Sequence, residues 1–354
     1  MKGLILSGGK GSRLRPLTYT GAKQLVPIAN KPVLFYAIES LVSAGVTELG
    51  IVVGETKDQI VAAVGDGSAF GARVTYIEQE APLGLAHGVK IARPFLGEDK
   101  FVLFLGDNFV KGGIAAQVVD FKEGESNCML VLCPVKSPQQ FGVADLVEGK
   151  VARVTEKPLN PQSNLAITGV YMFDRHVFDA ISSIRPSARN ELEITDAIQW
   201  LLDQGFKVAH HILKEPWIDT GKKDDVLDAN RLILEDIEAR IEGEVDGQSR
   251  IVGRVVLEKG SQVLNSVLRG PLAIGKDTVI VDSYLGPYTS IYFGCRIEKA
   301  EIEHSVVLEN SLIIDVPQRI EESLIGRNVR IGRGGAKPAA YKLVLGDHSN
   351  LDMP

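Results

Sequence analysis

Residues 8–13 read Gly8-Gly9-Lys10-Gly11-Ser12-Arg13, and Lys23 follows ten residues after Arg13, in Ala22-Lys23-Gln24-Leu25-Val26-Pro27. The loop directly follows Lys2-Gly3-Leu4-Ile5-Leu6, a short apolar run that reads as a buried first strand. Three glycines let the backbone turn sharply and leave its N–H groups open to a phosphate chain. The Arg13 guanidinium and the Lys23 ammonium would neutralise that chain. A strand, a glycine loop and two cations make the layout of a nucleotide-phosphate site. The spacing is not that of a P-loop, which needs Gly-x4-Gly-Lys-Ser/Thr. Leu14 stands where the dinucleotide fingerprint needs its third glycine.

Two carboxylates suit the same chemistry. Asp107 closes Phe101-Val102-Leu103-Phe104-Leu105-Gly106, and Asp219 sits in Trp217-Ile218-Asp219-Thr220-Gly221. A carboxylate at a strand end is a hard ligand for Mg2+, which takes one or two carboxylates plus substrate phosphates. The structural alternatives are that Asp107 caps a turn with Asn108 and that Asp219 caps a helix beginning near Lys222. Gln24 and Gln79 carry amides that can pair with a carbonyl and an N–H of a pyrimidine, although either could be a plain surface residue. Glu156-Lys157-Pro158 sets an acid beside a base; on a strand they face opposite ways, so a bend is needed to turn both to one site. The six histidines show no metal spacing, and no nucleophilic constellation stands out. Direct in-line transfer without a covalent intermediate is therefore expected.

Gly8–Thr18, Lys23-Gln24-Leu25-Val26-Pro27 and Asn30-Lys31-Pro32 closely resemble the sugar-1-phosphate nucleotidyltransferases. The Lys-Gln-Leu form looks like the glucose-1-phosphate thymidylyltransferases. The likeness runs in order through Gln79–Ala86, Gly106-Asp107-Asn108, Glu156-Lys157-Pro158, Asn190–Asp196 and Trp217–Gly221, covering roughly residues 1–240. It implies Mg2+-dependent transfer of a nucleotidyl group from dTTP to glucose 1-phosphate, with UTP a rival donor. Arg13, Lys23 and Asp107 would be the catalytic residues, with Arg13 at the β- and γ-phosphates and Lys23 at the α-phosphate under attack. The nucleotide would be held by Gly8, Gly9, Gly11, Ser12, Arg13, Gln24, Gln79, Pro82, Gly84 and Asp107. The sugar phosphate would meet Asn108, Gly142, Glu156, Lys157, Gly169 and Arg189. The metal would take Asp107 and Asp219. Arg15 is kept outside the site, and the family often has Gly where Asn190 stands.

These residues need a scaffold, and the chain predicts two. Strand-like runs at 4–6, 49–53, 74–77, 101–105, 129–135 and 169–173 alternate with helix-like segments at 32–44, 58–64 and 85–92. That alternation predicts an α/β domain with a mostly parallel, Rossmann-like sheet, whose ligands bind beyond the carboxyl ends of the strands. A helix is expected over 222–241 and a linker at 246–249. Beyond it, apolar residues recur every six: Leu268, Ile274, Ile280; Val279, Leu285, Ile291, Ile297; Ile302, Leu308, Ile314. A six-residue period predicts a parallel β-helix of hexapeptide repeats, left-handed by resemblance to the long-form thymidylyltransferases. The expected division is a catalytic domain at 1–242 and a β-helix domain at 243–354, with an irregular tail over about 335–354.

With 354 residues, two domains are the prior. A net charge of −6 gives no general affinity for nucleic acid or anionic membrane. No apolar run approaches the roughly 20 residues needed to span a bilayer, and the first residues lack the pattern of a signal peptide. Cys128, Cys133 and Cys295 are too few and scattered for a disulfide framework, so the cytoplasm is the expected compartment. The β-helix is expected to mediate homo-oligomer assembly. Two rival classes are a non-catalytic scaffold and a bifunctional enzyme with an acyltransferase β-helix. The latter needs a histidine in a coil, and only His304 lies in the periodic region.

Overall fold

The computed structural model describes residues 1–333 and 343–352. Part of the tail expected to be irregular, 334–342 and 353–354, lies outside the described residues. The chain groups into two compact units, 1–10 with 33–219 and 11–32 with 220–354.

The first unit is built on a nine-stranded sheet. Its heart is four parallel strands, Arg73–Glu78, Glu48–Val53, Lys2–Leu6 and Phe101–Leu105, adjacent in that order. Leu4, Ile5, Leu49, Ile51 and Leu103 are fully buried, as expected of strands covered on both faces. Leu165–Phe173 then joins antiparallel to Phe101–Leu105 and to Cys128–Pro134. Gly142–Val147 and Lys150–Glu156 extend the sheet as an antiparallel pair. The sheet is thus parallel in the half that carries the glycine loop and mixed in the other. Helices Val33–Ser43, Lys57–Val64 and Leu85–Ile91 connect the parallel strands, close to the expected segments.

The register places the carboxyl ends side by side. Leu6 pairs with Leu105 and with Val52, and Val53 pairs with Glu78. Ser7-Gly8, Gly54, Gln79 and Gly106-Asp107 therefore emerge along one sheet edge, where α/β folds bind ligands.

Among the described residues, the second unit holds a β-helix of three parallel sheets with six, six and four strands. Leu257 pairs with Ile274, Ile274 with Ile291, Ile291 with Val307, and Val307 with Ile325. A coil therefore takes 16 to 18 residues (274 − 257 = 17; 307 − 291 = 16; 325 − 307 = 18). Three hexapeptides would take 18, so one side of most coils is a residue short. Ile280 to Leu285 and Ile297 to Ile302 are such five-residue steps between buried positions. This explains the broken six-residue period. It also corrects part of it: Ile280, Val307 and Ile313 point into the coil core, whereas Val279 and Ile314 are only half-buried and Leu308 joins a different cluster.

Two local expectations change. The helix expected over 222–241 spans Lys223–Leu234, and Arg240–Ile241 already forms the first β-helix strand. Residues 246–249 are not a linker but a turn inside a coil, where Asp246 Oδ1 accepts from the backbone of Gln248 and Ser249 and from the Ser249 hydroxyl. That hydrogen bonding holds the Asp246 carboxyl below its usual range.

Candidate active site

In the first unit, the glycine loop and Gln79 meet. A Cβ on Gly8 would lie 3.1 Å from Gln79 Oε1, and one on Gly54 would lie 3.2 Å from the Gly8 carbonyl. Gln79 Nε2 sits 2.9 Å from His87 Nδ1 on the Leu85–Ile91 helix and 3.5 Å from the Gly84 carbonyl. An amide nitrogen only donates, so His87 Nδ1 accepts and the ring is neutral. Burial and nearby Lys90 push the His87 pKa down, which keeps it so. The Gln79 carbonyl oxygen is thereby turned toward Gly8. Pro82 and Gly9 are exposed beside this corner.

Gly84 has its own reason to be glycine. Its φ is +100, and a Cβ would fall within 2.4 Å of the Leu192 carbonyl oxygen. Ala86 N donates to that same carbonyl, and Leu192 N donates to Leu83 O. The backbone, rather than a ligand, requires the missing side chain.

Asp107 is 6% exposed and follows Gly106, whose N–H donates to Leu6 O at 3.0 Å. Asn108 opens the short strand Asn108–Val110, antiparallel to Trp217–Asp219, with Asn108 opposite Asp219. The two expected metal ligands thus occupy neighbouring register positions on one ribbon. Asn108 Nδ2 donates to Asp107 Oδ1 at 3.2 Å, and Trp217 Nε1 donates to Asn108 Oδ1 at 2.6 Å. The N-cap position of the Lys223–Leu234 helix is Lys222, without a side-chain cap bond. Both donors are carboxylate oxygens, which fits a hard divalent cation. No group of three or more His, Cys, Asp or Glu that could hold a metal occurs among the described residues. A cation at Asp107 and Asp219 would complete its shell with phosphate and water.

A cleft of roughly 490 Å3 lies between Glu156, Lys157, Arg189 and Glu193. Lys157 adopts φ +41, which supplies the bend that an acid and a base on one strand require. Its Nζ turns back to 3.7 Å from Glu156 Oε1. Burial raises the Glu156 pKa, partly offset by Lys157 and Arg189. Thr195 Oγ1 donates to its other oxygen at 3.3 Å. Arg189 is engaged by three carboxylates: Glu193 at 2.8 Å, Glu156 at 3.2 Å and Glu191 at 3.6 Å. Ser187 Oγ also donates to Glu193. The 5%-exposed Glu193 has no spacing signal for its pairing with Arg189, because the two are joined by a turn and not by a helix face. Asn190 takes φ +61, a conformation in which Asn can replace Gly. Gly142 and Gly169 also serve protein neighbours. A Cβ there would come within 2.8 Å of Thr195 Cγ2 and 2.6 Å of the Asn108 amide.

In the second unit, Gly11 has φ +64, and a Cβ would lie 2.9 Å from that of Lys23. The loop end and Lys23 are therefore in contact. Thr18 Oγ1 donates to Gly11 O at 2.6 Å, closing the intervening turn. Ser12 and Arg13 are exposed on a short 3-10 turn, Ser12–Leu14. Arg13 also acts, with Lys222, on Asp225, whose pKa burial raises and those cations lower. Arg15 stacks over the Tyr19 ring at 4.7 Å. Gln24 is 1% exposed, and its buried Oε1 has no hydrogen-bond partner. It is not a surface residue, and an unsatisfied buried acceptor is the kind of group a ligand N–H would pair.

The chain belongs to the nucleotidyl transferase family, whose model matches residues 2–236. Within it, the chain is 51% identical over its full length to a glucose-1-phosphate thymidylyltransferase of Streptomyces griseus, covering 99% of that protein. It is 45% identical to the low-salt glycan biosynthesis nucleotidyltransferase Agl11 of Haloferax volcanii, covering 100% of each chain. A crystal structure from Bacillus anthracis, provisionally assigned as a glucose-1-phosphate thymidylyltransferase and solved with sucrose, matches with a TM-score of 0.64. It is 35% identical, covering 68% of this chain and 97% of that one.

Proposed function

We propose that the enzyme transfers a thymidylyl group from dTTP to glucose 1-phosphate, giving dTDP-glucose and pyrophosphate. The observation that carries this is the full-length likeness to the Streptomyces griseus thymidylyltransferase. A phosphate oxygen of glucose 1-phosphate attacks the α-phosphorus of dTTP. A new P–O bond forms there, the bond to the β-phosphate breaks, and pyrophosphate departs with the charge. Backbone N–H groups at Gly8, Gly9, Gly11 and Ser12 cradle the triphosphate. Arg13 neutralises the departing β- and γ-phosphates, and Lys23 the α-phosphate, where transition-state charge concentrates. Asp107 and Asp219 would hold Mg2+, which supplies charge neutralisation at the phosphates when bound.

Gln79 presents its carbonyl oxygen to a pyrimidine N–H because His87 takes the amide nitrogen. Gln24 contributes an acceptor of its own, which is buried. Pro82 borders the base and Gly84 shapes that corner. Lys157 takes the sugar phosphate, Glu156 accepts sugar hydroxyls, and Asn108, Gly142 and Gly169 line the sugar side. Arg189 acts mainly by holding Glu156 and Glu193 in place.

Thymine and uracil differ by one methyl, worth only about 1–3 kcal/mol of discrimination. Measurable use of UTP is therefore a second expected activity. The catalytic role is assigned to 1–242 and an assembly role to 243–354. Val252, Leu264 and Val267, exposed on the coils, suit a homo-oligomer contact. A monomer by light scattering at micromolar concentration would refute that assembly.

The test is pyrophosphate release with glucose 1-phosphate, Mg2+ and each of dTTP, UTP, ATP, CTP and GTP. Release with dTTP supports the reading. Its absence with dTTP, alongside release with a purine nucleotide, would overturn it.

A further inference from the structure

The turn that carries Arg13 and Lys23 is fastened at intervals to the β-helix coils and to the Lys223–Leu234 helix. Leu17, between the two cations in sequence, packs with Leu227, Val306, Leu308 and Leu324. Gly21 lies against Arg327, whose Nη2 would be 3.0 Å from a Cβ there. Arg327 is itself held by Glu309 at 3.3 Å. Beyond Lys23, Ala29 N donates to Asn230 Oδ1 at 2.8 Å, and Asn30 Nδ2 donates to Ile291 O at 2.9 Å.

Asn230 is the centre of this arrangement. It is 0% exposed and lies on the Lys223–Leu234 helix. Its Oδ1 accepts from Ala29 N and from Ser290 Oγ at 2.6 Å, and its Nδ2 donates to Tyr288 O at 2.9 Å. One amide thus joins the catalytic turn, the helix and two β-helix residues. A buried amide of this kind fixes geometry, because any displacement leaves donors and acceptors unpaired.

We propose that the β-helix is the platform that positions Arg13 and Lys23, with Asn230 as the positioning residue, so that its coils serve turnover as well as assembly. The inference rests on the reading that these two cations serve nucleotidyl transfer. Lys23 is held at Gly21 on one side and Ala29-Asn30 on the other, and Arg13 is held through Leu17. Displacing a catalytic group by about 1 Å can cost on the order of 100-fold in rate.

The experiment compares full-length Asn230→Ala, Asn30→Ala and Arg327→Ala with Val263→Ala. Val263 is fully buried in the first coils, away from the turn, and its truncation controls for lost stability. The readouts are kcat, KM for glucose 1-phosphate, melting temperature and hydrogen exchange of 11–32. Asn230→Ala should lower kcat about 10- to 100-fold, leave that KM within about twofold, and speed exchange across 11–32. Asn30→Ala and Arg327→Ala should do the same more weakly, and they decide the matter if Asn230→Ala does not fold. Val263→Ala should lower the melting temperature while kcat below the transition stays unchanged. Unchanged kcat and exchange in the turn variants would overturn the proposal. A wild-type chain with no nucleotidyl transfer would instead overturn the activity it rests on.

Discussion

Gln79 gives its amide nitrogen to His87 Nδ1 at 2.9 Å, and its carbonyl oxygen is left facing Gly8. Protonated His87 donates at both nitrogens and cannot accept, so acid breaks this bond. Burial and Lys90 lower the His87 pKa, so the break falls below the ordinary histidine value of about 6.5. The folded state then binds fewer protons than the unfolded one, so this group's contribution to stability is present at neutral pH and lost on acidification. KM for dTTP should accordingly rise as pH falls through the lowered His87 pKa. His87→Gln, a non-titrating acceptor, should flatten that acid limb. An identical limb in the variant would remove His87 from nucleotide binding.

Lys23→Ala removes a transition-state charge contact and should lower kcat at least about 100-fold. Near-normal turnover would exclude Lys23 from the mechanism.

Asp107→Asn keeps the side-chain shape but discards a hard anionic donor. The Mg2+ concentration for half-maximal activity should rise together with a fall in kcat. An unchanged Mg2+ titration would place the metal ligands elsewhere.

Lys157 and Arg189 should separate. Lys157→Ala should raise KM for glucose 1-phosphate about 10- to 100-fold, as expected for losing a hydrogen bond to a charged group. Arg189→Ala strands Glu156, Glu191 and the buried Glu193. It should therefore lower the melting temperature more than Lys157→Ala does. The reverse order by thermal denaturation and kinetics would assign the sugar phosphate to Arg189.

Gly84→Ala places a Cβ within 2.4 Å of Leu192 O at a φ of +100. It should destabilise by about 2 kcal/mol or more, measured by denaturant unfolding. A stability equal to wild type would mean that the Gly84–Leu192 approach relaxes freely.

The sheet and the shared edge of its loops were legible because strand–helix alternation has one dominant solution and loops after parallel strands emerge together. The Glu156-Lys157 bend was legible as a need, but the positive φ at Lys157 was not, because Lys carries no local signal for it. That Glu156 folds back onto Arg189 from 33 residues away leaves no mark in the adjacent sequence. Gly84, Gly142 and Gly169 are places of close approach within the protein. The approaching groups belong to Leu192, Thr195 and Asn108, which only tertiary packing brings there. The β-helix period was visible, but its five-residue steps moved the apparent core by one residue in places. The role of Asn230 left no trace in the sequence, since a buried amide in a helix has no spacing signature.

The fastening of Leu17 to Val306, Leu308 and Leu324 has a consequence for biosynthesis. The turn leaves the ribosome before its anchors, which emerge roughly 300 residues later. At about 5–20 residues per second, that is a wait on the order of 15–60 seconds. A nascent or prematurely released chain carries both cations without the surface that orders them. Catalytic competence would then arrive only once the coils that carry Val306, Leu308 and Leu324 have been made.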